Sequence, residues 1–444
     1  EKTVLHSSNE AAALKIGMVH QHFKLVSNYT ITENIVLGVE PMKKKFGIFP
    51  YVDIKTANEK IRALSMKYGL EVEPTKRIDE VNVSIQQRVE ILKMLYRDAE
   101  ILIFDEPTAI LTPQEIEYLL KIMRQLSDSG KTIILITHKL EEIKQIADRC
   151  AILRRGKLID ILDVKTTSTK EMANMMVGRN VLFNITKSDR NYRDVVLEVK
   201  DLTVKDENKI EVVKHVSFNI RGGEILAIAG VSGNGQTELA DAIAGLIPTD
   251  KGKILLNGVD ITDMDIRSRT LAGMSYIPED RQKYGVILDA TLRDNLAIKN
   301  YYKEPFAKSG FLNFKIFDEY AGTLIDKYDI RSGSGAKTVV RSMSGGNQQK
   351  AIVGREIEQE APFMIFVQPT RGLDIGAIEN IHKQILEERE KGRAILLISL
   401  ELDEVMQLAD TIGVIYNGEI LKIADASELT TNEVGSYMMG VKEH

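Results

Sequence analysis

The sequence predicts an α/β protein of two tandem domains, each with a mostly parallel sheet core, a helical insert and an antiparallel β element. Three observations carry that expectation. The first is the run Ile101 to Phe104, apolar without alternation, which passes into Asp105, Glu106, Pro107 and Thr108. Such a run suits a strand buried on both faces of a parallel sheet, and it sets both carboxylates at the carboxyl end, where open α/β sheets place their ligands. The second is a repeat: Phe363 to Thr370 matches this central stretch, Ser344 to Lys350 matches the frame of Asn82 to Arg88, and Ile395 to Asp403 matches Ile133 to Glu141. The third is length, since 444 residues exceed what one hydrophobic core usually supports. The expected division is a first domain over 1–178, a polar and charged linker over 179–194 and a second domain over 195–444.

Composition narrows the function classes. A hydrophobic content of 43% is ordinary for globular protein, and a formal charge of −5 argues against a chain dominated by nucleic-acid contacts. Cys150 is the only cysteine, so no internal disulfide forms and a reducing compartment fits. No apolar run is long enough to cross a bilayer, so any membrane role is expected to be peripheral.

In chain order, Ile16 to Phe23 reads as an apolar strand that delivers Gln21 to a loop. Thr30 to Gly38 reads as a short helix, and Tyr51 to Tyr68 carries helical spacing, so a helical insert separates two parts of the first sheet. After the central strand, Thr112, Pro113 and Glu115 form a helix start with a capping box, and Ile116, Leu119, Leu120 and Met123 mark its buried face. Thr132 to Thr137 is the next buried strand and ends at His138, and Ala151 to Ile161 reads as a hairpin turning near Arg155 and Gly156. The hairpin recurs in the second half at Asn417-Gly418, a type I′ turn signal.

The second half also contains a strand, Ile225 to Ala229, then a glycine-rich turn through Gly230, Gly233, Asn234, Gly235, Gln236 and Thr237, then a helix. It precedes Glu279, the counterpart of Gln21, by about fifty residues, whereas only twenty residues precede Gln21. The expectation is a chain that lacks the first half's phosphate-binding loop.

The residue types fit nucleotide chemistry. An Asp leaving a buried strand can hold magnesium through its water shell, and a neighbouring Glu can polarise a water aimed at a phosphate. Ser344, Gly345 and Gly346 can bring backbone amides and a hydroxyl onto a phosphate at a helix start.

Together these motifs resemble the ATP-binding subunit of an ABC transporter, of the tandem P-loop NTPase kind that serves bacterial importers of simple sugars and purine nucleosides; Val367 to Asp374 looks most like the nucleoside branch. The resemblance implies ATP and magnesium as cofactors, with Asp105 at the metal, Gln21 touching the metal or the attacking water and reporting to the permease, Glu106 as catalytic base and His138 at the γ-phosphate. It makes Ser344, Gly345, Gly346, Asn347 and Gln348 a signature loop that completes the site of the other half. It implies membrane permease subunits docking near the Gln21 loop and Thr30 to Gly38, an extracytoplasmic solute-binding protein reached through the assembled transporter, and a peripheral place on the cytoplasmic face of the membrane. No nucleic-acid partner is expected.

The second half departs from the family pattern at nearly every catalytic position. Gln236 stands where the loop lysine belongs, Val367 replaces the magnesium carboxylate, Gln368 the catalytic Glu, Glu279 the loop Gln and Leu400 the His. The first half departs instead at its signature, where Asn82, Val83 and Ser84 stand. One competent composite site and one degenerate site are therefore expected. A soluble tandem ABC protein acting on ribosomes would carry two intact sites and a long basic linker. A regulatory scaffold would not hydrolyse ATP at all.

Overall fold

The structure is a computed structural model, which describes residues 4–20, 23–45, 49–108, 111, 113–154, 156–178, 187–188 and 190–441. It divides into two compact units, Glu1–Asn180 and Val181–His444.

The second unit is built on a six-stranded sheet in the order Met274–Ile277, Phe363–Val367, Ala394–Ser399, Ile225–Ala229, Thr411–Tyr416 and Glu419–Asp425. All neighbours are parallel except the last pair, a hairpin closed by Asn417 and Gly418, both at positive φ as a type I′ turn requires. The strands alternate between two cores. Met364, Phe366, Ile395 and Leu397 pack with Ile352 and Val353 of the helix Gly345–Ile357 and with Ile381 and Ile385 of the helix Ile375–Glu390. Phe363, Ile365, Leu396 and Ile398 face the other way, onto Leu239 and Ile243 of the helix Gln236–Ala244 and onto an antiparallel sheet that includes Val195–Lys205 and Glu211–Arg221. With about 1.5–3 kcal/mol for each large apolar side chain removed from water, this doubly covered sheet is the rigid platform of the unit.

The first unit repeats part of this plan. Ile16–Val19, Ile101–Asp105 and Thr132–Ile136 form a parallel sheet in that order, matching Met274–Ile277, Phe363–Val367 and Ala394–Ser399. Leu102 and Phe104 are fully buried against Val89 and Leu92 of the helix Val83–Tyr96 and Met123 of the helix Pro113–Asp128. Burial on both faces, expected from the sequence, is not complete: Ile101 and Ile103 are only half-buried, because no antiparallel sheet covers that face among the described residues. Nor is Thr132–Ile136 the buried strand expected. Ile134 and Ile136 are 46% and 49% exposed, since among the described residues no strand takes the place that Ile225–Ala229 holds in the second unit. For the same reason the hairpin Arg149–Arg154 and Lys157–Asp163 stands as a separate two-stranded sheet.

The helical insert contains Ile31–Val36, started by a Thr30/Glu33 capping box, and Ile54–Tyr68. Tyr51 lies before the second helix, in the strand Phe49–Val52, because the Asp53 side chain accepts from the Thr56 amide and fixes the helix start there. The Thr112 cap and the Arg155 turn lie outside the described residues, as do 179–186 and 189 of the expected linker. The rest of that stretch is bound to the second unit: Lys187 donates to the Ala409 carbonyl, Arg190 pairs with Asp425, and the Arg193 amide donates to the Gly222 carbonyl at 2.8 Å.

Candidate functional site

In the first unit the strand Ile101–Asp105 delivers Asp105 and Glu106 to its carboxyl end. Glu106 adopts φ +44°, a left-handed conformation rare outside glycine, while its amide donates to the Ile136 carbonyl at 2.9 Å. Strain of this kind persists only where surrounding structure enforces it, and it turns the Glu106 side chain toward the end of the next strand. There His138 Nδ1 lies 3.1 Å from Glu106 Oε1, and with the proton on Nδ1 the ring donates to the carboxylate. That bond holds the Glu106 carboxyl below the usual carboxylate range, against partial burial, with the charges of His138 and Lys139 adding to the effect.

Side chains that sequence reasoning passed over brace the pair. Thr108 Oγ1 donates to Glu142 Oε1 at 2.6 Å and Thr137 Oγ1 to Glu142 Oε2 at 3.0 Å, so a buried carboxylate ties the turn after Glu106 to the turn before His138. Gln87 donates to the Pro107 carbonyl from the helix Val83–Tyr96. The signal for Glu142 was in the repeat, because Thr370 Oγ1 donates to the equivalent Glu404 at 2.8 Å. Gln21 lies outside the described residues.

The second unit holds the glycine-rich loop at the start of the helix Gln236–Ala244. Gly235 sits at φ +98°, and a Cβ there would meet the Val212 carbonyl oxygen at 2.2 Å, so only glycine fits. Asn234 Oδ1 accepts from the Asn417 amide at 3.0 Å and the Asn234 carbonyl from the Gly418 amide at 3.0 Å, which fastens the loop to the hairpin turn. Gln236 is buried and folds back, its Nε2 donating to the Val231 carbonyl at 3.0 Å close above Gly230. Gly233, at φ +86°, borders open space. Thr237 Oγ1 donates to Glu279 Oε2 at 3.0 Å.

At the end of the central strand the two units share a backbone but not a chemistry. Gln368 keeps the left-handed φ, +49°, and its amide donates to the Ile398 carbonyl at 2.8 Å. Its Oε1 accepts from the Leu400 amide at 3.3 Å, the position where His138 stands in the first unit. Val367 is fully buried in the apolar core.

The signature segments are opposite in kind. In the first unit Asn82 Oδ1 accepts from the Ile85 amide at 3.0 Å and caps its own helix. In the second, Ser344 makes no side-chain cap to the helix Gly345–Ile357; its Oγ instead accepts from Asn347 Nδ2 at 2.9 Å. Buried Gln348 donates to the Val340 and Met343 carbonyls and fixes the segment from below. A Cβ at Gly346 would meet Ala377 Cβ at 3.6 Å and Asp374 Oδ2 at 3.9 Å, ordinary contact distances, so a small side chain fits there without displacing backbone. The amides of this helix start remain without the side-chain cap that closes the other.

Parallel sheets that carry carboxylates and amides at their strand ends, beside a glycine-rich loop that opens a helix, define the phosphate-binding loop class of nucleotide-binding α/β proteins. The family model described as ABC transporter matches residues 1–109 and 213–371, and the chain belongs to that family. It is 49% identical over 436 residues to the nucleoside import ATP-binding protein NupA of Lactococcus lactis subsp. cremoris, spanning 98% of this chain and 85% of that protein. It is 48% identical over 440 residues to the guanosine import ATP-binding protein NupO of Bacillus subtilis, spanning 99% and 85%. With the ribose import ATP-binding protein RbsA 3 of Rubrobacter xylanophilus the identity is 34% over 443 residues, spanning 100% and 86%.

Proposed function

We propose that this chain is the ATP-binding and ATP-hydrolysing subunit that energises import of a purine nucleoside by an ABC transporter. The observation that carries the solute class is the drop in identity from 49% and 48% with the nucleoside import and guanosine import relatives, NupA and NupO, to 34% with a ribose import relative that aligns over just as much of the chain. Hydrolysis is assigned to the first unit. Glu106 takes a proton from the attacking water, His138 keeps that carboxylate ionised and oriented, and Glu142 positions both through Thr108 and Thr137. Asp105 offers a hard oxygen donor at the strand end, which fits magnesium, an ion that takes one or two carboxylates together with phosphate and water. Asp105 and Gln21 would hold it, and bound magnesium would neutralise charge on the phosphates. Ser344, Gly345, Gly346, Asn347 and Gln348 form the signature segment, which offers helix-start amides to a phosphate. Gly230, Gly233, Asn234, Gly235, Gln236 and Thr237 bind nucleotide without turning it over, because Gln236, Val367, Gln368 and Leu400 supply none of the charges that hydrolysis uses.

No described helix is long and apolar enough to cross a membrane. Membrane permease subunits supply the pathway, an extracytoplasmic solute-binding protein delivers solute to it, and this chain works from the cytoplasmic face. Competition of unlabelled guanosine and ribose against labelled guanosine uptake, in cells that depend on this subunit, tests the assignment. Competition by guanosine alone supports it, and equal competition by ribose overturns it.

A further inference from the structure

The second unit's loop is poorly arranged for magnesium. A metal bridging phosphates there would use the Thr237 hydroxyl and a carboxylate at the end of the central strand, but that carboxylate is replaced by Val367, which lies in the core. The nearest carboxylate, Glu279, is engaged on both oxygens: Oε2 accepts from Thr237 Oγ1 at 3.0 Å and Oε1 from Arg371 Nη1 at 2.5 Å. The loop hydroxyl and a cation of the protein itself, Arg371, therefore share one carboxylate.

Its backbone is held in place. Arg371 follows the central strand, its amide donates to the Gln368 carbonyl at 3.2 Å, and its own carbonyl accepts from Arg281 Nη1 at 3.2 Å. The aligned residues of the first half are Ala109 and Phe23, so both guanidinium groups belong to the half that has lost the metal carboxylate. The Arg371–Glu279 pair is 44% and 28% exposed, and ion pairs that accessible exchange partners readily. A planar guanidinium also matches phosphate oxygens in pairs, which a lone ammonium does not. In the loop itself, Asn234 Nδ2 is buried with no acceptor among the described residues.

We propose that the second unit binds a nucleoside di- or triphosphate without magnesium, with the Arg371 guanidinium, poised by Glu279, serving as the counter-cation. The inference rests on the reading that this glycine-rich loop binds nucleotide. The sequence has one such loop, at Gly230 to Thr237, so binding to the purified chain reports on it.

The test is equilibrium binding of radiolabelled ATP to the 444-residue chain in magnesium chloride and in excess EDTA, with circular dichroism to establish folding of each variant. The expected result is an affinity that changes less than about threefold between the two buffers, and a loss of roughly tenfold or more in EDTA for Arg371→Ala, the effect of one charge-assisted contact. Arg371→Lys should recover part of the loss, and Glu279→Gln should tighten binding in EDTA by releasing Arg371. Wild-type binding that is tenfold or more tighter with magnesium, or Arg371→Ala binding like wild type in EDTA, overturns the proposal but leaves the loop a nucleotide site. Absence of saturable binding in both buffers by the folded chain overturns the nucleotide reading and the proposal together.

Discussion

Replacing His138 with Ala removes the hydrogen bond that reaches Glu106 Oε1 at 3.1 Å, and its consequences can be worked through in sign and size. Both side chains are about three-quarters buried, so the bond is sheltered from solvent. A hydrogen bond to a charged group contributes about 1.5–3 kcal/mol, which corresponds to roughly ten- to a hundredfold in rate if the contact is kept in the transition state. The pH dependence carries a further mark. Glu106 is held below its ordinary range, so its basic form is present above that depressed value and is lost as pH falls through it. Without His138 the main depressing influence is gone, and the acid limb of ATP hydrolysis moves to higher pH. The assay is the pH profile of ATPase rate in the assembled transporter, wild type against His138→Ala, with His138→Gln as a variant able to restore the donor. An acid limb unmoved by His138→Ala, whatever the change in maximal rate, would refute the argument that His138 sets the ionisation of Glu106.

Three further outcomes follow from the same geometry. Gly346→Asp places a carboxylate at the start of the helix Gly345–Ile357, beside Asp374 Oδ2, and should abolish steady-state hydrolysis, whereas Ser84→Asp, at the aligned place in a helix already capped by Asn82, should spare most of it; equal loss in both variants contradicts the asymmetry. Gln368→Glu should not create a second hydrolytic site, since Gln236, Val367 and Leu400 remain; single-turnover rates that double in this variant would show otherwise. Arg389→Met leaves Asp410 buried without the two 2.8 Å bonds that Arg389 gives it, so urea unfolding of the second unit should show about 3–5 kcal/mol lost, and a loss under about 1 kcal/mol would place Asp410 in a more forgiving setting.

Much of this was legible in the sequence, and the exceptions have a common cause. Apolar runs such as Phe363 to Val367 announce buried strands because a strand covered on both faces needs no alternation, and the repeat then placed Glu106 and Gln368 at matching strand ends. What the sequence did not announce depends on partners distant along the chain. Ile134 and Ile136 look as buried as their counterparts, yet their exposure is decided by the strand that lies alongside. The left-handed backbone at Glu106 and Gln368 is imposed by the neighbouring strand's carbonyl, not by any local glycine. Arg371 and Glu279 are 92 residues apart, and only folding shows that the guanidinium and the loop hydroxyl share the Glu279 carboxylate. Helix starts went wrong where a cap was overlooked, as at Asp53, whose side chain begins a helix that spacing alone extended back to Tyr51.

Under the proposed function, ATP hydrolysis through Glu106 drives nucleoside import. The most direct measurement is ATP-dependent guanosine uptake into vesicles carrying the assembled transporter, with wild-type subunit or Glu106→Gln. Loss of the general base should lower both ATP hydrolysis and uptake by roughly 10²–10⁴-fold while ATP binding is retained. Uptake by Glu106→Gln at a rate near wild type would contradict the account.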